Sequence, residues 1–152
     1  MKIAIMGTGM VGQELAGRLA VLGHDVTVGT RDIAATMART EPNPVGIPPF
    51  SAWSPAHPDV ALATFPDAAA GGEVIVNATV GSASLEVLRL AGGRHLAGKM
   101  DTVTALLTQL GHTDIIDLGG ISTARGPEML VKIWLELWDA LGTYEFGIKI
   151  VR

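Results

Sequence analysis

Lys2-Ile3-Ala4-Ile5-Met6-Gly7-Thr8-Gly9-Met10-Val11-Gly12 is the stretch whose reading decides the fold. Lys2 to Met6 is a short, largely apolar run, as expected of a strand covered on both faces of a parallel sheet. Gly7 breaks it. From Met10 to Leu22 the apolar positions Val11, Leu15, Leu19 and Leu22 recur at helical spacing, and Gly23 follows as the expected C-terminal cap. Asp25 to Gly29 (DVTVG) then reads as a second strand. Lys2 to Arg31 therefore has the length of one βαβ element, about 30 residues, and the chain is expected to be α/β: a Rossmann-like, doubly wound, mostly parallel sheet with helices on both faces.

The same rhythm continues outward. Val60 to Thr64 predicts a third strand, Asp67 to Ala70 a brief helical turn, Glu73 to Ala78 a fourth strand and Ser82 to Leu90 a helix. Residues 41 to 58 hold Pro42, Pro44, Pro48, Pro49, Pro55 and Pro58 and read as an irregular crossover, pinned to the body by Phe50 and Trp53. Asp101 to Leu110 is again helical, yet the intervening AGGRHLAGKM offers no strand, so two helices follow one another. Beyond it we expect a strand over 114–118, a glycine turn, a helix from about Pro127 to Leu141 and a last strand, FGIKIV. LAVLGHDVTV and LTQLGHTDIID share a helix, a Leu-Gly-His turn and a strand, which is recurrent turn chemistry rather than a repeat.

With 152 residues, 48% of them hydrophobic, the chain can bury one core, and a single domain over 1–152 is expected. Its net charge of −4 and scattered Lys and Arg give no footprint for nucleic acid. The absence of cysteine excludes disulfides, thiolate metal sites and a cysteine nucleophile, and agrees with a cytoplasmic location. The opening apolar run is too short for a signal-peptide core or a membrane span, so neither export nor membrane insertion is expected. His24, His57, His95 and His112 lack metal-ligand spacing, and no metal is expected.

Gly7-Thr8-Gly9-Met10-Val11-Gly12 is a GxGxxG motif between strand and helix. There the first glycine permits the tight turn, the second lets backbone approach a pyrophosphate, and the third lets the helix pack closely. The helix N-terminus adds free N–H groups and the positive end of its dipole. At the end of the second strand a protein that binds NAD places an acid on the ribose, whereas this chain has Gly29-Thr30-Arg31 followed by Asp32. Arginine there favours a 2′-phosphate by about 1.5–3 kcal/mol, a roughly tenfold to hundredfold preference for NADP(H). Its other reading is a solvated strand end. Asn77, Ala78 and Thr79 close the fourth strand, where they either line the nicotinamide ribose or simply end the strand, with Ser82 or Ser84 capping the next helix. Ser122, Thr123, Arg125, Pro127 and Glu128 suit helix initiation. The helix that follows carries Met129, Leu130, Ile133, Trp134, Leu137, Trp138 and Leu141 as a wide apolar stripe, which docks on its own sheet or forms a dimer interface.

Together, residues 1–32, EVIVNATVGSASLEVLRLAG and the stretch from DIIDLGG to the C-terminus resemble the NADPH-dependent F-420 reductase family. The resemblance implies hydride transfer between NADP(H) and a deazaflavin, coenzyme F-420, with Thr8, Gly9, Met10, Val11, Thr30 and Arg31 holding NADP. No side chain is implied as an acid or base, because the protein mainly positions two cofactors. Relative to that family, a segment of roughly two βα units of about 30 residues each is missing where Lys99, Met100 and Asp101 join. An internal deletion there leaves an alternative: a catalytically impaired dinucleotide-binding module or sensor that keeps the fold. Loss of central strands would also expose a sheet edge, which pairing or strand exchange in a homodimer would cover.

Overall fold

The computed structural model describes residues 1–43, 46–92, 100–113 and 125–143. The chain falls into two compact units, Met1–His112 and Thr113–Arg152. In the first, strands β1 (Lys2–Met6), β2 (Asp25–Thr30), β3 (Val60–Thr64) and β4 (Val74–Asn77) alternate with helices α1 (Met10–Val21), α2 (Ile33–Met37), α3 (Phe50–Trp53), α4 (Phe65–Gly71) and α5 (Gly81–Ala91), followed by α6 (Met100–Gln109). The second unit contains α7 (Arg125–Leu141).

The four strands form one sheet in the order β3-β2-β1-β4, with every pairing parallel. β1 pairs with β2 from Lys2↔Asp25 to Met6↔Gly29 and with β4 from Ile3↔Val74 to Met6↔Asn77, so the order reverses beside β1. The doubly wound arrangement is thus present, and two cores lie on opposite faces of the sheet because alternate β1 side chains point opposite ways. Ile3 and Ile5 join Ala16, Leu19, Val26, Val28, Phe50 and Leu106 on the α1 face. Ala4 and Met6 join Phe65, Ala68, Ala69, Val87 and Ala91 on the α4 and α5 face.

α1 sits on the sheet differently from its apolar periodicity. Gly12, Gln13, Ala16 and Leu19 are buried, whereas Val11 and Leu22 are exposed. The helix approaches closely enough that small residues face the strands, and a Cβ on Gly12 would lie 2.1 Å from the Gly7 carbonyl oxygen. Both Leu-Gly-His turns are Schellman caps. Gly23 and Gly111 have φ of +81° and +95°. The Gly23 and His24 N–H groups bond Ala20 and Leu19, and those of Gly111 and His112 bond Thr108 and Leu107.

The crossover is less irregular than its prolines imply. Pro49 caps α3, and Ser54–Ala56 continues it as a 3-10 turn with Pro55 in its first positions, where a missing N–H is no loss. Phe50 is buried in the core and Trp53 packs against it, so both pin the segment as expected. α2 escaped the sequence reading, being one turn long and capped by the Asp32 carboxylate on the Ala35 N–H at 2.9 Å. α4 is longer than the expected turn because Thr64 caps it and Pro66 stands in its first turn.

Two assignments are corrected at α5. Its N-cap is Val80, with no side-chain cap, so neither Ser82 nor Ser84 caps the helix. The Ser84 hydroxyl instead accepts from Asn77 Nδ2 at 2.7 Å. The expected strands over 114–118 and 146–151, the stretch 93–99 and residues Ser122 and Thr123 lie outside the described residues. Within its own unit, α7 brings the Trp134 and Trp138 rings to 5.4 Å between centroids, and Ile133, Leu137, Trp138 and Leu141 are exposed.

Candidate nucleotide site

The turn from β1 to α1 is built by squeezing. Gly7 has φ of +122°, and a Cβ there would lie 2.8 Å from the Ala78 carbonyl oxygen. Its N–H donates to the Gly29 carbonyl at 3.0 Å, while the Ala78 N–H donates to the Met6 carbonyl at 2.9 Å. The end of β1 is therefore clamped between the ends of β2 and β4, and only glycine fits its first turn position. Gly12 is held as tightly from below. Gly9 is the contrast, because a Cβ added there would meet nothing within 4 Å.

Gly9 is also the N-cap of α1, in extended conformation and without a side-chain hydrogen bond capping the helix. The N-cap therefore gives the first-turn N–H groups no side-chain partner, at the positive end of a 12-residue helix. An open second glycine between two sterically obligatory ones is the cradle a pyrophosphate requires, so the residues present fit a dinucleotide. Met10 and Val11 follow at the mouth with their side chains exposed, and Thr8 is half-buried.

Beside this loop lies a cleft of about 360 Å³ lined by Thr8, Gly9, Thr36, Arg39, Glu41 and Pro48, among others. Gln13 anchors its wall. This buried side chain donates from Nε2 to the Thr8 carbonyl at 3.0 Å and to the Pro48 carbonyl at 3.1 Å, tying the glycine loop to the crossover. The apolar pattern could not reveal Gln13, although a polar residue directly after the third glycine was the available signal. Arg39 was likewise missed, since no motif spacing marks it, and it brings a guanidinium to the cleft.

At the end of β2, Thr30 is buried and its hydroxyl bonds that of Thr36 at 2.7 Å, so its side chain holds α2 in place. Arg31 is exposed. Its guanidinium reaches Glu86 of α5 at 3.5 Å. The Asp32 carboxylate is engaged in capping α2. At the end of β4, Asn77 Oδ1 accepts from the Thr79 N–H at 3.2 Å and the Thr79 hydroxyl at 2.6 Å. With Nδ2 on Ser84, the Asn77 side chain is committed to shaping this turn. Gly7, Ala78 and Thr79 come together, since a Cβ on Gly7 would also lie 3.2 Å from Thr79 Cγ2. Among the described residues no group of three His, Asp or Glu side chains could hold a metal ion.

The glycine turn, the strand order and the open helix N-terminus define a dinucleotide-binding protein of Rossmann type. The chain belongs to the coenzyme F420-dependent NADP oxidoreductases, whose family pattern matches residues 2–100. The family as a whole is NADP-linked and coenzyme F420-dependent, and NADP(H) is accordingly the cofactor of this chain. Among solved structures it is similar to a protein of Arthrobacter sp. FB24, provisionally named an F420-dependent NADP-reductase. Identity is 39%, the TM-score is 0.90, and the match covers 100% of each chain. A comparison with curated proteins finds no match.

Proposed function

We propose that this chain binds NADP(H) across the carboxyl ends of β2, β1 and β4 and transfers a hydride between it and the deazaflavin of coenzyme F420. The observation that carries the reading is the open Gly9 backbone, set between two glycines that tolerate no side chain, with Arg31 at the adjacent strand end. The bound cofactors supply the hydride donor and the hydride acceptor. Gly7, Thr8, Gly9, Met10, Val11 and Gly12 carry the pyrophosphate on backbone N–H groups, and Arg31, beside Thr30, takes the 2′-phosphate. Asn77, Ala78 and Thr79 form the wall beside the reacting end. No side chain is assigned as acid or base, because the contribution of the protein is orientation.

A second reading, a binding module that keeps NADP(H) without turnover, is favoured by one observation: the family match ends at residue 100. We read the Lys99-Met100-Asp101 junction there as the place where an internal segment would be missing. NADPH titration followed by a turnover assay with coenzyme F420 separates the two. Binding with turnover supports the reductase, binding without turnover supports the module, and no binding rejects both.

We further propose a cytoplasmic homodimer. Among the described residues the outer edge of β4 pairs with no strand, and Ile75 and Val76 there are only half-buried. The exposed Ile133, Leu137, Trp138 and Leu141 supply further apolar surface. The absence of cysteine fits a reducing compartment, and no described helix is long and apolar enough to cross a membrane.

A further inference from the structure

We infer that Glu86 is the resident counter-ion of Arg31, a carboxylate that the 2′-phosphate of NADP(H) must displace and that thereby sets how strongly the site favours NADP(H). The inference rests on the reading of Arg31 as the phosphate ligand and goes beyond it, to a residue that no motif marks.

The topology places the pair. Arg31 directly follows β2, and Glu86 lies on α5, which follows β4. β2 and β4 flank β1 on opposite sides, two strand spacings or about 9–10 Å apart. The ion pair joins residues 55 apart in sequence across this gap. A dinucleotide lying over the glycine loop along the strand ends therefore meets the guanidinium already engaged by a carboxylate. The neighbouring acid, Asp32, caps α2, which among the described residues leaves Glu86 as the carboxylate paired with Arg31.

The pair is built to be released. At 3.5 Å, with the side chains 65% and 61% exposed, it is long, monodentate and screened by water. A phosphate offers more charge and several acceptor oxygens to the planar guanidinium, so it wins the exchange. NAD(H) carries only a hydroxyl at that position and brings no charge to displace Glu86. The cost of breaking the pair, and the repulsion between the freed carboxylate and the phosphate, fall on NADP(H) alone. Glu86 thus moderates a preference that Arg31 creates.

The test is calorimetric titration of the full chain with NADPH and with NADH, for the wild type, Glu86→Gln, Arg31→Ala and the double variant, with circular dichroism as a check on folding. Glu86→Gln is expected to tighten NADPH about two- to fivefold, the scale of an exposed ion pair. NADH should be unmoved, and most of the gain should vanish in the Arg31→Ala background. Weaker or unchanged NADPH binding by Glu86→Gln, or an equal gain for NADH, overturns the role of Glu86 while Arg31→Ala still loses NADPH. If Arg31→Ala binds NADPH as the wild type does, the assignment of Arg31 itself has failed, and the Glu86 role falls with it.

Discussion

Gly9 and Gly12 differ in what a single methyl would meet, and that difference separates folding from binding. At Gly12 the methyl lies 2.1 Å from the Gly7 carbonyl, so Gly12→Ala must push α1 off its strand. We expect it to lose about 1–3 kcal/mol of stability, the usual scale of overpacking, together with nucleotide binding. At Gly9 the methyl meets no protein atom. Gly9→Ala should leave the melting temperature nearly unchanged yet weaken NADPH at least about tenfold, because the methyl stands where backbone must approach the pyrophosphate. Thermal melts and titrations on the two variants check the contrast. The glycine spacing was legible because each position answers to a steric rule. Gln13 was not, since its value lies in bonds to Thr8 and Pro48, and Pro48 is distant in sequence. Gln13→Ala leaves both carbonyls without this donor and should cost about 1–3 kcal/mol, measurable by denaturant unfolding.

Elements were legible where local chemistry alone defines them. Both Leu-Gly-His turns could be read as caps, because a left-handed glycine after a helix is a local requirement. Gly23→Ala is expected to destabilise by about 1–2 kcal/mol through the φ of +81° it must hold, with NADPH affinity unchanged in the folded fraction. The close packing expected of the third glycine is present, but the apolar periodicity does not mark the whole face that α1 buries. Val11, Leu15, Leu19 and Leu22 make the stronger apolar pattern, but proximity to the sheet selects Gly12 and Ala16, and residue size outweighs hydrophobicity at so close a contact. The start of α5 was misread for a related reason: Ser84 is drawn to Asn77 by the turn that ends β4, so its capping ability goes unused.

At the scale of the whole molecule, the doubly wound parallel sheet followed from the βαβ rhythm, whereas the order β3-β2-β1-β4 is seen only in the structure. The relation between distant residues did not follow, and the Arg31–Glu86 pair appears only once β2 and β4 stand on either side of β1. The edge of β4, unpaired among the described residues, belongs to this scale too, and light scattering at micromolar concentration should give the mass of a dimer, twice 15.8 kDa, whereas a stable monomer would remove that proposal. The central claim, that this fold holds NADP(H) through Arg31, is tested most directly by titrating wild type and Arg31→Ala with NADPH and NADH side by side. The account requires the wild type to prefer NADPH and Arg31→Ala to lose about tenfold to a hundredfold of NADPH affinity with NADH little changed. Equal affinities for the two nucleotides in the wild type, or no loss on removing Arg31, would contradict it.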